Sequence, residues 1–366
     1  MLTTKTHEIP GYETVLEGSC SRTGLKAFIA IHNTTLGPAL GGVRFYPYQK
    51  EEDALEDVLR LSKAMTYKSS VIKDGLGGGK SVIIGDPKKI KTDALLFTFG
   101  EMLNQLEGRY IAAEDVGMGV DDLMLINKVS PYVAGLATET SCGDPSRFTA
   151  HGVFQGIKAS AKAVWGSPSL KGKRVLVQGL GNVGMKVAEL LFWAEAKLIC
   201  ADPDSEKLKQ AKHDMGAQII SLDEVFSTPC DIFSPNALGG IINLDTLPHF
   251  KFKAIAGGAN NQLARIELGE ELFKQNILYA PDFVINAGGI INAAAEFEPN
   301  GYDPISARDQ TLNIYNALEE IFEISKKEKK PTSQVANEIA ERNLKEGIGK
   351  RIEPIRFNLV SFSHDS

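Results

Sequence analysis

The stretch Val175-Leu176-Val177-Gln178-Gly179-Leu180-Gly181-Asn182-Val183-Gly184 reads as a short buried strand running into G-x-G-x-x-G, then a helix with Val187, Leu190 and Leu191 on one face. Each glycine has a separate task in such a turn. The first permits the tight bend, the second lets a pyrophosphate reach the backbone, and the third lets the helix pack on the strand. The helix N-terminus, with Met185 in its first turn, then faces the phosphates. A lone G-x-G-x-x-G says little, but the next apolar run, Lys197 to Ala201, ends at Asp202, 21 residues after Gly181 (202 − 181). An acid there binds the adenosine ribose hydroxyls and repels a 2′-phosphate, so the expected cofactor is NAD rather than NADP, with Asp204 as the alternative acid.

Working outward, short aliphatic runs alternate with helical segments: Arg174 to Gln178, Lys197 to Ala201, Cys230 to Ser234, Lys253 to Ala256 and Ile277 to Ala280. That rhythm predicts a doubly wound parallel sheet, a Rossmann-type NAD domain over about 148–329. Residues 1–135 read differently, as a mixed α/β substrate domain across a cleft from it. Strands are expected near Lys26 to His32, Ser81 to Gly85 and Arg109 to Ala113, and helices near Glu52 to Tyr67 and Asp93 to Leu106. Leu55, Val58, Leu59, Ser62 and Met65 supply the buried stripe of the first helix, and Lys68 lies beside it. The polar loop Thr138 to Arg147 reads as the interdomain connection, and C-terminal helices over about 330–366 as packing back or making oligomer contacts.

Acidic residues outnumber basic ones, 46 to 40, for a net charge of −6, and no basic stripe interleaved with aromatics stands out, which argues against nucleic acid as a partner. No run approaches a membrane span and the N-terminus lacks an apolar leader core, so a cytoplasmic protein is expected. Cys20, Cys142, Cys200 and Cys230 show neither C-x-x-C nor metal-ligand spacing, which predicts reduced thiols and no metal site. Cys142 has no histidine placed by sequence to activate it and reads as a plain thiol.

A dinucleotide domain implies hydride transfer, so the other domain should hold a substrate and move protons. Gly75-Leu76-Gly77-Gly78-Gly79-Lys80-Ser81-Val82-Ile83-Ile84 sets one lysine between three glycines and a buried strand. The glycines are expected to form a loop with φ > 0 that lets a ligand approach. Lys68 and Lys80 in one apolar cleft would provide a carboxylate clamp and a second amine whose pKa the first depresses. Asp115, in the loop after Arg109 to Ala113, would shuttle protons if burial raises its pKa toward neutrality. His32 and His151 read as hydrogen-bonded structural histidines.

Together these segments resemble the superfamily of glutamate, leucine, phenylalanine and valine dehydrogenases, most of all its leucine-specific branch. Seven blocks carry the resemblance: Ile29 to Gly42, Ala64 to Lys68, Gly77 to Lys80, Ala113 to Gly117, Gln178 to Gly184, Ala259 to Leu263 and Val284 to Gly289. The resemblance implies that Lys68 binds the substrate α-carboxylate, Lys80 activates the water that attacks the imino carbon, and Asp115 carries protons at the amino nitrogen. It implies that Thr149, Ala237, Asn260 and Asn261, with Gly179 to Met185 and Asp202, line the cofactor and substrate sites, and that the enzyme is a homo-oligomer. Amino acid, 2-oxo acid and ammonia are the implied ligands.

The side-chain pocket implied is Leu40, Gly41, Ala113, Ile290 and Ala293. Leu40 stands where glutamate-specific members place a lysine, so a glutamate side chain would be buried unpaired. The expected substrates are leucine, valine and isoleucine. The alternatives are phenylalanine or tryptophan and, in another class, a silent NAD-binding sensor. The chain departs from the family pattern at Asp74, usually aliphatic, and at Gly79, often alanine.

Overall fold

The computed structural model describes residues 1–136, 138 and 141–357. The chain divides into two compact units. One comprises residues 1–144, 293–304 and 341–366, the other residues 145–292 and 305–340, which places the first crossing at the start of a helix. Glu139 and Thr140 of the polar connection, and the tail beyond residue 357, lie outside the described residues.

The first unit is built on a mixed sheet of β1 (Thr3–His7), β2 (Thr14–Cys20), β3 (Leu25–Asn33), β4 (Ala39–Tyr46), β5 (Gly77–Ile84) and β6 (Tyr110–Ala113). Its order is β1-β2-β3-β5-β4-β6. The pairs from β1 to β5 are antiparallel, whereas β5, β4 and β6 run parallel. Alternation of side chains gives the sheet two distinct faces. Ile29, Val43, Phe45, Ile83, Tyr110 and Ala112 join the large core with α3 (Asp93–Asn104) and α4 (Val120–Asn127), while the short α2 (Pro87–Ile90) buries no residue. Phe28, Ala30 and Val82, on the other face, pack with Ala54 and Val58 of α1 (Glu51–Ile72).

Two local expectations are corrected here, for one reason. The buried stripe of α1 is Ala54, Val58, Ser62, Thr66 and Ser69, not the Leu55, Leu59 and Met65 line, and Gly77, Gly78 and Gly79 are strand residues rather than a loop. Of the glycines from 75 to 79, Gly75 alone has positive φ, 74°. The others serve close approach: a Cβ on Gly78 would lie 2.0 Å from the Thr66 backbone nitrogen, and one on Gly77 2.2 Å from the Asn33 carbonyl oxygen. A helix that rides so near a strand buries small and hydroxyl side chains, and its leucines move to the flanks. Gly79 leaves room for the Tyr110 ring, 2.6 Å from where its Cβ would stand.

Asp74, between α1 and β5, organises the turn: its Oδ1 accepts from the Leu76 N–H at 3.0 Å. Oδ2 is enclosed with no hydrogen-bond partner among the described residues. Burial, opposed by the Leu76 N–H and by Arg351, pushes this carboxyl up from 3.8 to about 7. A group raised in the folded state binds a proton that the unfolded chain has released, so it loses stability as pH rises through this window. Asp74→Asn should therefore gain on the parent between about pH 4 and pH 7, by up to roughly 4 kcal/mol, and hold that gain above. Urea midpoints across pH check it, and an advantage that shrinks with rising pH would refute it.

The second unit holds a parallel sheet of β7 (Arg174–Gln178), β8 (Lys197–Ala201), β9 (Gln218–Ile219), β10 (Ile232–Pro235), β11 (Ala254–Ile255) and β12 (Leu278–Tyr279). Its order β12-β11-β10-β7-β8-β9 is the doubly wound arrangement with the first strand, β7, in the middle. The helices are α5 (Ser146–Trp165), α6 (Asn182–Trp193), α7 (Ser205–Met215), α8 (Leu268–Lys274), α9 (Asp282–Ile285), α10 (Gly288–Ala294), α11 (Pro304–Gln310), α12 (Leu312–Glu328) and α13 (Thr332–Glu346). The lysine-rich break ends α12 at Lys329, whose φ of 56° makes a left-handed cap before Pro331. The last helix straddles the division: residues through Ala340 count with the second unit and Asn343, whose Nδ2 donates to the Ser70 carbonyl at 3.0 Å, with the first.

Candidate active site

In the first unit Lys80 lies on β5, on the face that carries α1, beside Gly42 of β4. Its side chain is 8% exposed, and Nζ forms an ion pair with Asp115 Oδ2. Gly42 makes that meeting possible, because a Cβ there would stand 3.0 Å from Lys80 Nζ and 2.8 Å from Asp115 Cβ. Gly41 is a close-approach glycine as well, with the Gly79 oxygen 1.9 Å from where its Cβ would be. Its carbonyl accepts from the Tyr110 hydroxyl at 2.7 Å.

Burial is the main force on Lys80, and with the Arg44 charge it holds the amine below 10.5 against the opposing pull of Asp115. Arg44 is thus one cation that depresses Lys80. The expectation for Asp115 is corrected. Burial raises it, but Lys80 and Arg44 outweigh burial and hold the carboxyl below 3.8, so it stays ionised rather than poised near neutrality. Arg44 Nε lies 3.3 Å from Asp115 Oδ2 and its Nη1 2.8 Å from Asp57 Oδ2. Sequence reading passed over Arg44, although an arginine inside the apolar strand Gly41-Gly42-Val43-Arg44-Phe45 was a signal in plain sight.

Lys68 is half-buried on α1, one residue before the buried Ser69. Leu40 is 2% exposed and pairs with Gly78 on one side and Ile111 on the other, while Ala113 ends β6 opposite Gly42. By strand alternation Leu40, Lys80 and Ala113 share the α1 face of the sheet and Gly41 belongs to the other. His32 Nδ1 meets the Thr66 hydroxyl at 2.9 Å, and burial with the Lys63 charge pushes its pKa down to about 4, a neutral structural ring. The Cys142 thiol is buried and pushed well up by burial and by Glu296, the opposite of an activated nucleophile.

In the second unit Gly179 takes φ 86° at the end of β7, with the Ala237 side chain 2.7 Å from where its Cβ would be. Gly184 packs α6 on that turn, its missing Cβ 1.8 Å from the Gly179 oxygen. Gly181 faces open space and caps α6 without a side chain, which leaves the N–H groups of Asn182, Val183 and Gly184 at a free helix N-terminus. Leu180 N donates to Asp202 Oδ2 at 2.6 Å and Asp204 N to Oδ1 at 2.8 Å. Each oxygen keeps a lone pair for a ribose hydroxyl. Asp204 itself caps α7 by accepting from Glu206 N. An open glycine at a helix N-terminus beside an acid fits the phosphates and ribose of a dinucleotide.

Thr149, on the first turn of α5, donates to the Pro145 carbonyl at 3.1 Å, and Gly288 and Gly289 bring α10 against that turn. Ile290 and Ala293 are buried on α10. Asn261 has φ 51° and its carbonyl accepts from Gly240 N at 2.7 Å. Asn260 Oδ1 accepts from Asn286 Nδ2 at 2.6 Å, which fixes which way the Asn260 amide points. Asn286 was not among the expected residues, although it stands in a quoted block. His151 is held by Thr311 at 2.6 Å and Gln155 at 3.1 Å.

Residues 15–131 match the family model described as Glu/Leu/Phe/Val dehydrogenase, dimerisation domain, and residues 196–348 that described as Glutamate/Leucine/Phenylalanine/Valine dehydrogenase. The chain belongs to the Glu/Leu/Phe/Val dehydrogenase family. Leucine dehydrogenase of Geobacillus stearothermophilus is 47% identical over 334 residues, 91% of this chain and 90% of that protein. L-tryptophan dehydrogenase of Nostoc punctiforme is 44% identical over 342 residues, 93% of this chain and 96% of that protein. A crystal structure of L-tryptophan dehydrogenase from the same organism superposes with a TM-score of 0.82 at 42% identity, covering 92% of this chain and 97% of that one. The protein is an amino-acid dehydrogenase, an oxidoreductase whose family uses a nicotinamide cofactor. No described helix is long and apolar enough to cross a membrane.

Proposed function

We propose that this dehydrogenase oxidises branched-chain aliphatic L-amino acids, leucine with valine and isoleucine, to 2-oxo acids and ammonia, and that its cofactor is NAD. The observation that carries the substrate reading is Leu40: a buried aliphatic side chain on the same sheet face as Lys80 offers nothing to a second carboxylate, whose burial unpaired costs several kcal/mol. Ala113, on that same face, and Asn261, Ile290 and Ala293 are further residues proposed to meet the substrate side chain, whereas Gly41, on the opposite face, is not. Asp202 at the end of β8 supports NAD, since a 2′-phosphate would meet its charge.

Lys68 is the proposed partner of the substrate α-carboxylate, a role suited to a half-buried ammonium. Lys80, buried and depressed, works as the amine that takes a proton from water as that water attacks the imino carbon. Asp115, ionised and paired with Lys80, receives and returns protons at the substrate nitrogen. Gly179 to Met185, Asp202, Thr149, Ala237 and Asn260 are the residues proposed to hold the dinucleotide. When bound, the nicotinamide accepts the hydride from the substrate Cα. We further propose a homo-oligomer, supported by the dimerisation description of the N-terminal family model, and a cytoplasmic setting, supported by four buried cysteines held as thiols.

Initial rates on the twenty L-amino acids with NAD and NADP test the reading. Leucine, valine or isoleucine with NAD should give the highest kcat/KM, and glutamate at least ~100-fold less, given a buried unpaired carboxylate. Preference for phenylalanine or tryptophan would move the protein to the branch of its Nostoc relative, and equal use of NADP would remove Asp202 from its role.

A further inference from the structure

One oxygen of Asp115 is shared. Oδ2 pairs with Lys80 Nζ and lies 3.3 Å from Arg44 Nε. Arg44 is in turn held from α1, its Nη1 2.8 Å from Asp57 Oδ2, and Asp57 is fixed by the Tyr48 hydroxyl at 2.6 Å and Arg60 at 2.7 Å. The result is an alternating row, Asp57, Arg44, Asp115, Lys80, reaching from α1 across β4 to β5. Arg44 is 23% exposed at its side chain and Asp57 15%, so water screens the row only weakly.

We propose that Arg44 is a positioning residue that holds Asp115 from β4, itself anchored by Asp57, and so sets how tightly the Asp115 carboxylate grips the Lys80 ammonium. Without the competing guanidinium the carboxylate would belong to Lys80 alone, and the amine would hold its proton to higher pH. The other charged groups around Lys80 do not reproduce this. From β3, His32 is neutral and bound to Thr66; Glu114 after β6 is raised by burial and by Asp144; Lys68 on α1 is assigned to the substrate carboxylate in the proposed mechanism. Arginine suits the task because its planar fork reaches two carboxylates at once and it does not titrate.

The inference rests on Lys80 acting as the base, and two readouts keep the failures apart. Reductive methylation of the folded enzyme with formaldehyde and cyanoborohydride, quantified on the Lys80 peptide across pH, follows the neutral amine without turnover. The pH profile of kcat/KM follows the catalytic base. Arg44→Met should raise the Lys80 labelling midpoint by about one pH unit, tenfold in proton affinity, and Arg44→Lys, which keeps the charge without the fork, should return it part of the way. Asp57→Asn should move it the opposite way, downward, because it removes a negative charge and leaves Arg44 wholly to Asp115. Opposite shifts in the two variants support the proposal; an unmoved midpoint in Arg44→Met, or shifts of one sign, overturn it. If Arg44→Met does not fold, the sign in Asp57→Asn decides, a downward shift supporting and any other overturning. A labelling shift with an unmoved activity profile upholds the Arg44 link and removes Lys80 as the base.

Discussion

Lys80→Ala is expected to lower kcat at least ~100-fold with leucine while NAD binding stays within about threefold of the parent, since a positioned base contributes on the order of 100- to 10,000-fold and Lys80 belongs to the unit that lacks the dinucleotide turn. Lys80→Arg should be equally inactive although it keeps a cation beside Asp115, because a guanidinium does not give up its proton near neutral pH. The pair of variants separates charge from base. In the parent, turnover should climb with pH as the amine deprotonates and level off below the 10.5 of an ordinary lysine, because burial and Arg44 hold Lys80 down. Steady-state kinetics across pH check this, and an Arg variant within tenfold of the parent would sink the base assignment.

The second large effect is structural. Gly78→Ala should destabilise the protein by about 3 kcal/mol or more, at the upper end for overpacking, because the new methyl would stand 2.0 Å from the Thr66 nitrogen and 2.4 Å from its Cα. Those are backbone atoms of α1, so relief requires the helix to lift from β5. Lys68 rides on that helix two residues later, so whatever variant folds should also show a raised KM for the amino acid. Urea unfolding and substrate titration test the two parts separately. A loss below 1 kcal/mol would show that α1 can move freely, contrary to the tight seat described.

Much of the fold was legible because its signals are local. The runs Arg174 to Gln178 and Lys197 to Ala201 are β7 and β8 residue for residue, since parallel strands buried on both faces are written as continuous aliphatic segments. The glycine-acid pattern placed Gly181 at the start of α6 and Asp202 beside Leu180, because each glycine answers a backbone requirement that no other residue meets. The first unit was harder. Its helix α1 buries Ser62, Thr66 and Ser69, polar residues that hydropathy assigns to solvent, and only the glycines of the facing strand account for the reversal.

The proposed catalytic pair shows the same divide. Lys80 and Asp115 are conspicuous in the chain, and their motifs place the protein in an amino-acid dehydrogenase family before any coordinate is considered. Arg44 stands out only as a charge within an apolar strand and Asp57 not at all, because a charge row spread over α1, β4, β5 and the loop after β6 leaves no spacing in the sequence. By itself, then, the sequence determined the dinucleotide turn, the two-unit α/β plan and which lysines and aspartates carry the family pattern. Tertiary structure alone decided their protonation: Asp115 is ionised rather than near neutral, and Lys80 is depressed by burial and by Arg44. The reason is physical. Backbone requirements are written residue by residue, whereas the proton affinity of a buried group is set by charges and solvent exclusion that distant segments bring together.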